Sequence, residues 1–368
     1  MNIPFVDLKA QYQSIRSEID AVMAAVVEQS AFIGGTYVQQ FEQAFAAYCG
    51  TKHCVGVANG TDALFVALKA LGVGPGDEVI TAANSFVATS EAIRMAGAQV
   101  VFVDIDPATH NIDPRRIEEK VSARTKVLIP VHLYGQPADM EPILAVAKKH
   151  GLRVVGDAAQ AHGALYRGQP VSTPADITCF SFYPGKNLGA YGDAGALVTN
   201  NETWAETARV FANHGRTSQY DHGVEGINSR LDGLQAAVLN VKLRHLDDWT
   251  ERRRKNARQY AALLKGTGIA GVLELDDVRA VYHLYVVRVP DGHRDKVQAH
   301  LKTNGVSTGI HYPIALPFLD AYRHLGHRHE DFPEALKASG EILSLPMFPE
   351  LTDEQMQYTV DKIAGALK

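Results

Sequence analysis

The stretch Ile177-Thr178-Cys179-Phe180-Ser181-Phe182-Tyr183-Pro184-Gly185-Lys186-Asn187-Leu188-Gly189-Ala190-Tyr191-Gly192-Asp193-Ala194-Gly195-Ala196-Leu197-Val198-Thr199 decides the fold. Its first six residues form a short β-branched and aromatic run, and Ala194 to Thr199 form another; both read as buried strands. Between them lies a tight connection rich in glycine, with Lys186 near its middle. A lysine is costly to bury as a cation and normally goes to the surface. Here glycines clear space around it and apolar strands carry it inward. A desolvated lysine loses basicity and becomes an amine nucleophile able to form a Schiff base. Taken alone, the stretch also fits an ordinary solvated loop lysine.

Working outward toward the N-terminus, short apolar runs alternate with amphipathic ones. Strands are expected at 54–58, 78–81, 99–104, 125–131 and 152–156. Helices are expected from Asp7 to Glu28, from Val38 to Tyr48, from the Asn59-Gly60-Thr61-Asp62 turn through Leu71, after Asn84, near Ile117, and from Met140 to His150. Strand and helix in alternation with short turns predict a mostly parallel sheet covered on both faces. Chemistry-bearing residues fall where strands end. Gly60-Thr61 opens a helix after a strand, so free backbone N–H groups and the helix dipole point at a potential anion; simple capping by Thr61 or Asp62 is the alternative. Phe86 could cover a flat ring or be plain core. Asp157 closes an apolar strand at its carboxyl end, where open α/β sheets bind ligands. It would pair with a protonated heterocyclic nitrogen, or else cap a turn or meet an arginine. Gln160 follows three residues on, able to donate to a ring oxygen. With Ser181 and Lys186 these residues converge on one rim. Gly72-Val73-Gly74-Pro75-Gly76 is no dinucleotide fingerprint, because it precedes a strand instead of following one.

The chain has 368 residues, 46% of them hydrophobic and 21% charged, with a formal net charge of -5. That composition excludes a nucleic-acid or anionic-membrane binder built on basic charge. Three cysteines without a C-x-x-C pair fit a reducing, cytoplasmic setting. No stretch stays apolar for the ~18 residues that a membrane helix needs. Beyond the organising stretch, Leu231 to Leu246 reads as an amphipathic helix. The run Glu251-Arg252-Arg253-Arg254-Lys255 reads as a solvated helix face. From about Trp249 the rhythm changes: a long helix, a strand Tyr282–Val289, a helix near 296–304, and a terminal helix after Asp353. We therefore expect a large domain at 1–248, with roughly the first 20 residues packing elsewhere, and a smaller α+β domain at 249–368. His311-Tyr312-Pro313 would face the cleft between them. His324, His327 and His329 lie in a charged, proline-containing loop and read as solvated, so no metal site is expected.

A Schiff-base lysine, an acid for a ring nitrogen and an anion cradle are what pyridoxal phosphate requires of a protein. The chain resembles the DegT/DnrJ/EryC1/StrS family of sugar-nucleotide aminotransferases along nearly its whole length. The resemblance rests on Phe5-Val6-Asp7-Leu8, Asn59-Gly60-Thr61-Asp62-Ala63-Leu64, Asp157-Ala158-Ala159-Gln160-Ala161-His162-Gly163, Ser181-Phe182-Tyr183-Pro184-Gly185-Lys186, Asn213-His214-Gly215-Arg216 and Asn228-Ser229-Arg230-Leu231-Asp232, in that order. It implies an α/β fold of the aspartate-aminotransferase type (fold type I), pyridoxal 5'-phosphate as cofactor, a sugar-nucleotide substrate with L-glutamate as amine donor, and a homodimer with shared sites. It further implies that Lys186 bonds the cofactor and moves the proton, Asp157 binds the pyridine nitrogen, Gln160 the ring hydroxyl, and Phe86 stacks on the ring. Gly60, Thr61 and Ser181 would hold the phosphate, and Asn228 would reach the phosphate of the neighbouring subunit.

Family members that are dehydratases carry histidine where this chain has Lys186. Tyr183-Pro184-Gly185-Lys186-Asn187-Leu188-Gly189 with Gly192-Asp193-Ala194-Gly195 looks like the members that aminate C3 of a dTDP-linked 3-keto-6-deoxyhexose. Members acting at C4 more often show His-Pro-Val-Lys and Gly-Glu-Gly-Gly. The expected product is then a 3-amino-3,6-dideoxyhexose for glycan, lipopolysaccharide or antibiotic sugars. The alternatives are a 4-keto-6-deoxyhexose, a 3-keto uronate held by Arg216 or Arg230, or a cofactor-binding regulatory protein without catalysis. Tyr183, Tyr220, Arg216, His311 and Tyr312 are the candidates for substrate contact.

Overall fold

The strand runs assemble into a seven-stranded sheet in the order His53–Val57, Gly195–Thr199, Ile177–Ser181, Arg153–Asp157, Thr125–Ile129, Glu78–Ala82, Gln99–Val103. The computed structural model describes residues 1–367. Every strand runs parallel to the rest except Gly195–Thr199, which is antiparallel to both neighbours. The organising stretch explains the exception. A parallel return needs a crossover, usually a helix. Residues 182–194 instead fold straight back, with the Phe182 N–H donating to the Ala194 carbonyl and the Ala190 N–H to the Phe182 carbonyl, both at 2.8 Å. Lys186 therefore rides a loop pinned at both ends to the middle of the sheet.

Both sheet faces are covered, and side chains alternate between two cores with the period of a strand. Val55, Val57, Cys179 and Leu197 pack on one side with Leu64, Leu68, Ile93 and Ile143. Cys54, Phe180, Ala196 and Val198 pack on the other with Phe41, Phe45 and Leu239. The arrangement is the α/β fold of aspartate-aminotransferase type that the resemblance implies. Past it, Tyr285–Arg288 pairs with Ala270–Gly271 and Ile342–Leu345 in a small antiparallel sheet. Its core holds Tyr260, Val287, Leu301, Met356 and Ile363, and takes Ile3 from the other end of the chain. The helix Leu246–Leu263 joins the cores, with Leu246 in the larger assembly and Ala257 and Tyr260 in the smaller.

Several elements differ from expectation. The first helix breaks at Ile15 (φ -125°, ψ 18°) into Leu8–Ser14 and Arg16–Glu28. The break lets Ile15 and Ile19 bury together against Val238, Val241 and Trp249, a tertiary gain that periodicity does not register. The helix near Ile117 is two 3-10 turns, Pro114–Arg116 and Glu118–Lys120, started by the Asp113 carboxylate accepting from the Arg115 N–H. Leu231 to Leu246 shortens to Gly233–Leu243. The strand Tyr282–Val289 shortens to Tyr285–Arg288, because Tyr282 adopts a positive φ (44°) that no extended strand tolerates.

The charged run is a solvated face only in part: Glu251, Arg252 and Lys255 are exposed as expected, whereas Arg253 and Arg254 turn inward. Arg253 is 3% exposed, and its guanidinium donates to the carbonyls of Tyr282, His283 and Met347. Arg254 meets Glu274 and the Ala280 carbonyl. A charge pattern in sequence cannot reveal that backbone carbonyls await it. His327 is likewise half-buried, its ring edge-on to Phe102 and Phe332. No helix among the described residues is long and apolar enough to cross a membrane.

Candidate active site

A cleft of about 930 Å³ opens at the carboxyl ends of the parallel strands. It is lined by Gly60, Thr61, Phe86, Asp157, Gln160, Ser181, Tyr183, Lys186, His311 and Tyr312 among others. Ten of the sequence candidates are thus brought to one cavity, although they lie as far apart as residues 60 and 312.

Lys186 is the only lysine or arginine among the described residues that line it. Its N–H donates to the Tyr183 carbonyl at 2.8 Å, which closes a turn and aims the side chain inward. Burial lowers its pKa to about 8, and the charge of Asp157 opposes the shift. The amine is therefore half free near pH 8, where an ordinary lysine would be almost wholly protonated, as a nucleophile needs. We expect capture of a small aromatic aldehyde by the ligand-free protein to speed up with pH and level off above about pH 8. Stopped-flow absorbance reads it, and a rate still climbing toward pH 10 would identify an ordinary lysine. With Asp157→Asn the levelling should move to lower pH, because the charge that supports the cation is gone.

Asp157 ends its strand 5% exposed. Its Oδ2 accepts from the Thr89 hydroxyl at 2.7 Å and its Oδ1 from the Ala159 N–H at 3.2 Å. Burial raises its pKa, and the Thr89 bond only partly offsets that. Among the described residues no arginine, lysine or histidine lies within ion-pair distance, so the arginine alternative falls away. A desolvated carboxylate without a cation suits a ligand that brings one. Gln160 is oriented from both ends: its Oε1 accepts from the Tyr134 N–H at 2.7 Å and its Nε2 donates to the Tyr312 hydroxyl at 3.2 Å.

The anion cradle is built from the start of the helix Gly60–Ala70. Neither Thr61 nor Asp62 caps it; Asn59 does, its Oδ1 accepting from the Asp62 N–H at 2.8 Å. A Cβ on Gly60 would come within 2.6 Å of the Ser181 Cβ, so only glycine lets helix and strand meet there. Ser229 reaches in as well, donating to Asp62 at 2.7 Å and accepting from the Ala58 N–H. Phe86 is half-exposed in the cleft, its ring 5.8 Å from that of Tyr312. His311 bonds the Ser344 hydroxyl at 2.8 Å and stacks on Phe5. His162 lies buried between Phe180 and Phe182, its pKa lowered to about 3 by burial and then by the charge of Lys186.

Three candidates are not in this cleft. Arg216, Tyr220 and Asn228 sit on the excursion between Asn213 and Asn228, which pair with each other across its base. Tyr220 is 87% exposed and touches only Gln219 with its hydroxyl. All three side chains project outward, where a second copy could take them; for Asn228 that is the placement the resemblance implies. Sequence reasoning missed Thr89, Tyr134 and Asn59. Thr89 follows Phe86 by three residues at a helix start, which was the available signal; nothing local marked Tyr134.

These residues fit pyridoxal phosphate, the Gly60 cradle, the uncompensated Asp157 and the desolvated Lys186 each answering one part of it. Comparison with known proteins points the same way. The DegT/DnrJ/EryC1/StrS aminotransferase family model matches residues 13–364. A "pleiotropic regulatory protein" of Geobacillus stearothermophilus is 51% identical over 99% of this chain and 98% of its own. A UDP-2-acetamido-2-deoxy-3-oxo-D-glucuronate aminotransferase of Pseudomonas aeruginosa is 44% identical, over 95% of this chain and 96% of its own. The crystal structure of Streptomyces venezuelae DesV, solved with a reaction intermediate, superposes with a TM-score of 0.97 at 42% identity, covering 100% of this chain and 99% of that one. Structures similar to this one are also known with pyridoxal phosphate and with pyridoxamine phosphate bound.

Proposed function

Since the chain belongs to the DegT/DnrJ/EryC1/StrS aminotransferase family and is a pyridoxal-phosphate-dependent sugar aminotransferase, we propose that it aminates C3 of a nucleotide-linked 3-keto sugar, with glutamate as the amine donor. The preferred substrate is a dTDP-3-keto-6-deoxyhexose and the product its 3-amino-3,6-dideoxy counterpart. The observation that carries the choice is the charge of the cleft. Asp62, Glu91, Asp157 and Asp193 line it, with Lys186 as the one full cation among the described residues. A uronate carboxylate would meet carboxylates there, whereas a 6-methyl group meets no such penalty. The Pseudomonas relative named for a 3-oxo-glucuronate supports a second reading, in which a cation from outside this chain's cleft, Arg216 or Arg230 of a second copy, receives the uronate. A 4-keto sugar remains the third.

The same charge balance supports a homodimer with shared sites. A sugar nucleotide brings a diphosphate, and this cleft has little to neutralise it. The stretch 213–230, which projects outward, carries Arg216, Asn228 and Arg230, and would set those groups, with Tyr220, against the diphosphate in the neighbouring cleft, leaving the sugar to the carboxylate-lined wall. Three free, buried cysteines suit the cytoplasm, where we place the enzyme.

Pyridoxal phosphate supplies an aldehyde that exchanges for the donor's amine and a ring that holds the resulting electron pair. The chain's own groups do the rest. Lys186 would bond the aldehyde carbon, and once released its Nζ would carry the proton between the two carbons that exchange it. Asp157, held by Thr89 and Ala159, would keep the ring nitrogen protonated. Gln160 would bond the ring hydroxyl, Phe86 would cover the ring, and Gly60, Thr61 and Ser181 would hold the phosphate. Tyr183, His311 and Tyr312 would contact the sugar from the cleft wall.

The test is a half-reaction. Glutamate added to the purified holoenzyme should bleach the cofactor's visible band, and dTDP-3-keto-6-deoxyhexose should restore it. A UDP-linked 3-keto uronate should react at least about tenfold more slowly, the minimum for an uncompensated like-charge contact. Restoration by the uronate alone would replace the first reading with the second. Bleaching without restoration by any keto sugar would reject the sugar class.

A further inference from the structure

Among the described residues Lys242 is the most deeply buried lysine outside the cleft, 1% exposed on the helix Gly233–Leu243. No carboxylate pairs with it among the described residues. Its Nζ donates to the Gly189 carbonyl at 2.7 Å and sits 4.3 Å from the centre of the Tyr191 ring. Tyr12 from the first helix meets that ring on edge. Burial lowers its pKa to about 7, and a methionine would fill the same space without desolvating an amine, so the amine is kept at a cost that packing does not explain. Both contacts of its Nζ fall on one segment, the return arm of the Lys186 loop.

That loop is tightly closed. A Cβ on Gly189 would lie 2.3 Å from the Pro184 carbonyl oxygen, so the arms on either side of Lys186 touch. Asn187 anchors the tip to the Val281 carbonyl at 3.0 Å. Gln235, seven residues before Lys242 on the same helix face, accepts from the Tyr191 N–H at 2.8 Å. A Cβ on Gly192 would collide with the Gln235 amide. One helix thus grips residues 189–192 at two points two turns apart.

We infer that Lys242 is a positioning residue for Lys186: with Gln235 it fixes, through the Gly189 carbonyl and Tyr191, the loop that delivers the reactive amine to the cleft. Lys242 touches neither the cleft nor the cofactor cradle. Its loss leaves the binding groups outside the loop in place and loosens the segment that carries the Lys186 amine. The inference rests on the aminotransferase reading for its kinetic arm alone.

The test compares Lys242→Met, Lys242→Arg and Gln235→Leu with the wild type. In the cofactor-free proteins, amide hydrogen exchange at 185–192 should quicken at least about tenfold in Lys242→Met and stay slow in the flanking strands. In the holoenzymes, kcat should fall about 10–100-fold with the KM for sugar nucleotide within about twofold, the mark of a misplaced reacting group and not of lost binding. Lys242→Arg, which keeps a donor, should recover part of both. Unchanged loop exchange together with wild-type kcat in Lys242→Met overturns the inference, even if its melting temperature drops. Should that variant not fold, Gln235→Leu decides: the same two wild-type readings in it also overturn the inference. A wild type without transaminase activity would sink the functional reading, while the exchange arm would still report on Lys242.

Discussion

Lys186→Ala is expected to fold, to bind pyridoxal phosphate without a covalent link, and to lose about 10⁴-fold or more in kcat. The size of the loss follows from the lack of a substitute. Lys186 is the only lysine lining the cleft among the described residues, and Lys242 lies behind the loop with its amine committed to Gly189. His162 is nearby but sealed between two phenylalanines, without a hydrogen-bond partner on either nitrogen among the described residues. On the proposed mechanism one amine would carry both the covalent and the proton-transfer role, and removing it would remove both at once. Single-turnover absorbance with glutamate checks this: the visible band should persist where the wild type bleaches within seconds, and multiple turnover by the variant would discard the assignment. Stability should move the other way. The folded-state pKa of about 8 lies below the usual 10.5. Below pH 8 the folded ligand-free protein thus holds a cation that the unfolded chain binds more readily, and that cost fades as pH rises from 8 to 10.5. The alanine variant should gain on the order of 1–3 kcal/mol over the wild type at pH 7, and nothing above pH 10.5.

The sequence disclosed what is local. The two strands around Lys186, the helix Met140–His150 and the alternation that makes a parallel sheet all follow from periodicity within windows of a few residues. Asp157 was legible because a carboxylate directly after an apolar strand lands at the ligand-binding edge of such a sheet. What stayed hidden depends on contacts between distant segments. The Thr89 hydroxyl meets Asp157 across 68 positions, and Tyr134 offers its N–H to Gln160 from the end of another strand. Arg253 and Lys242 look like surface charge in a helical pattern and turn out to be buried donors to carbonyls. Hydropathy marks them as polar, and only the fold says which oxygens face them. The place of Arg216 and Tyr220 stayed hidden for a different reason: they lie on an excursion that projects away from this chain's own cleft, and sequence does not say which copy's cleft a loop faces.

Asp157→Asn should weaken pyridoxal phosphate binding and lower kcat/KM by about 10²–10³-fold, the effect of removing one partner from a buried ion pair. Asparagine is nearly isosteric. It can still accept from the Thr89 hydroxyl or the Ala159 N–H, so geometry survives and charge is what is lost. The ligand-free protein should be no less stable. Burial raises the pKa of Asp157 above the usual 3.8, so at neutral pH the folded chain holds an unfavourable carboxylate, a cost present above that raised pKa and relieved below it. Asparagine abolishes the cost. Spectral titration with the cofactor and thermal melts with and without it measure the two sides. The wild type should gain more from the cofactor than the variant does. Equal gains would mean that Asp157 meets no cation there, and that another group supports the ring nitrogen. Lys186 and Asp157 share this logic. Each destabilises the free protein, for opposite charges and the same reason, desolvation, and each is relieved by the ligand it awaits. A cleft that binds weakly to itself and strongly to a protonated, aldehyde-bearing ring is already selected for that ring before the sugar arrives. The Asp157→Asn substitution tests that selection apart from the chemistry that follows.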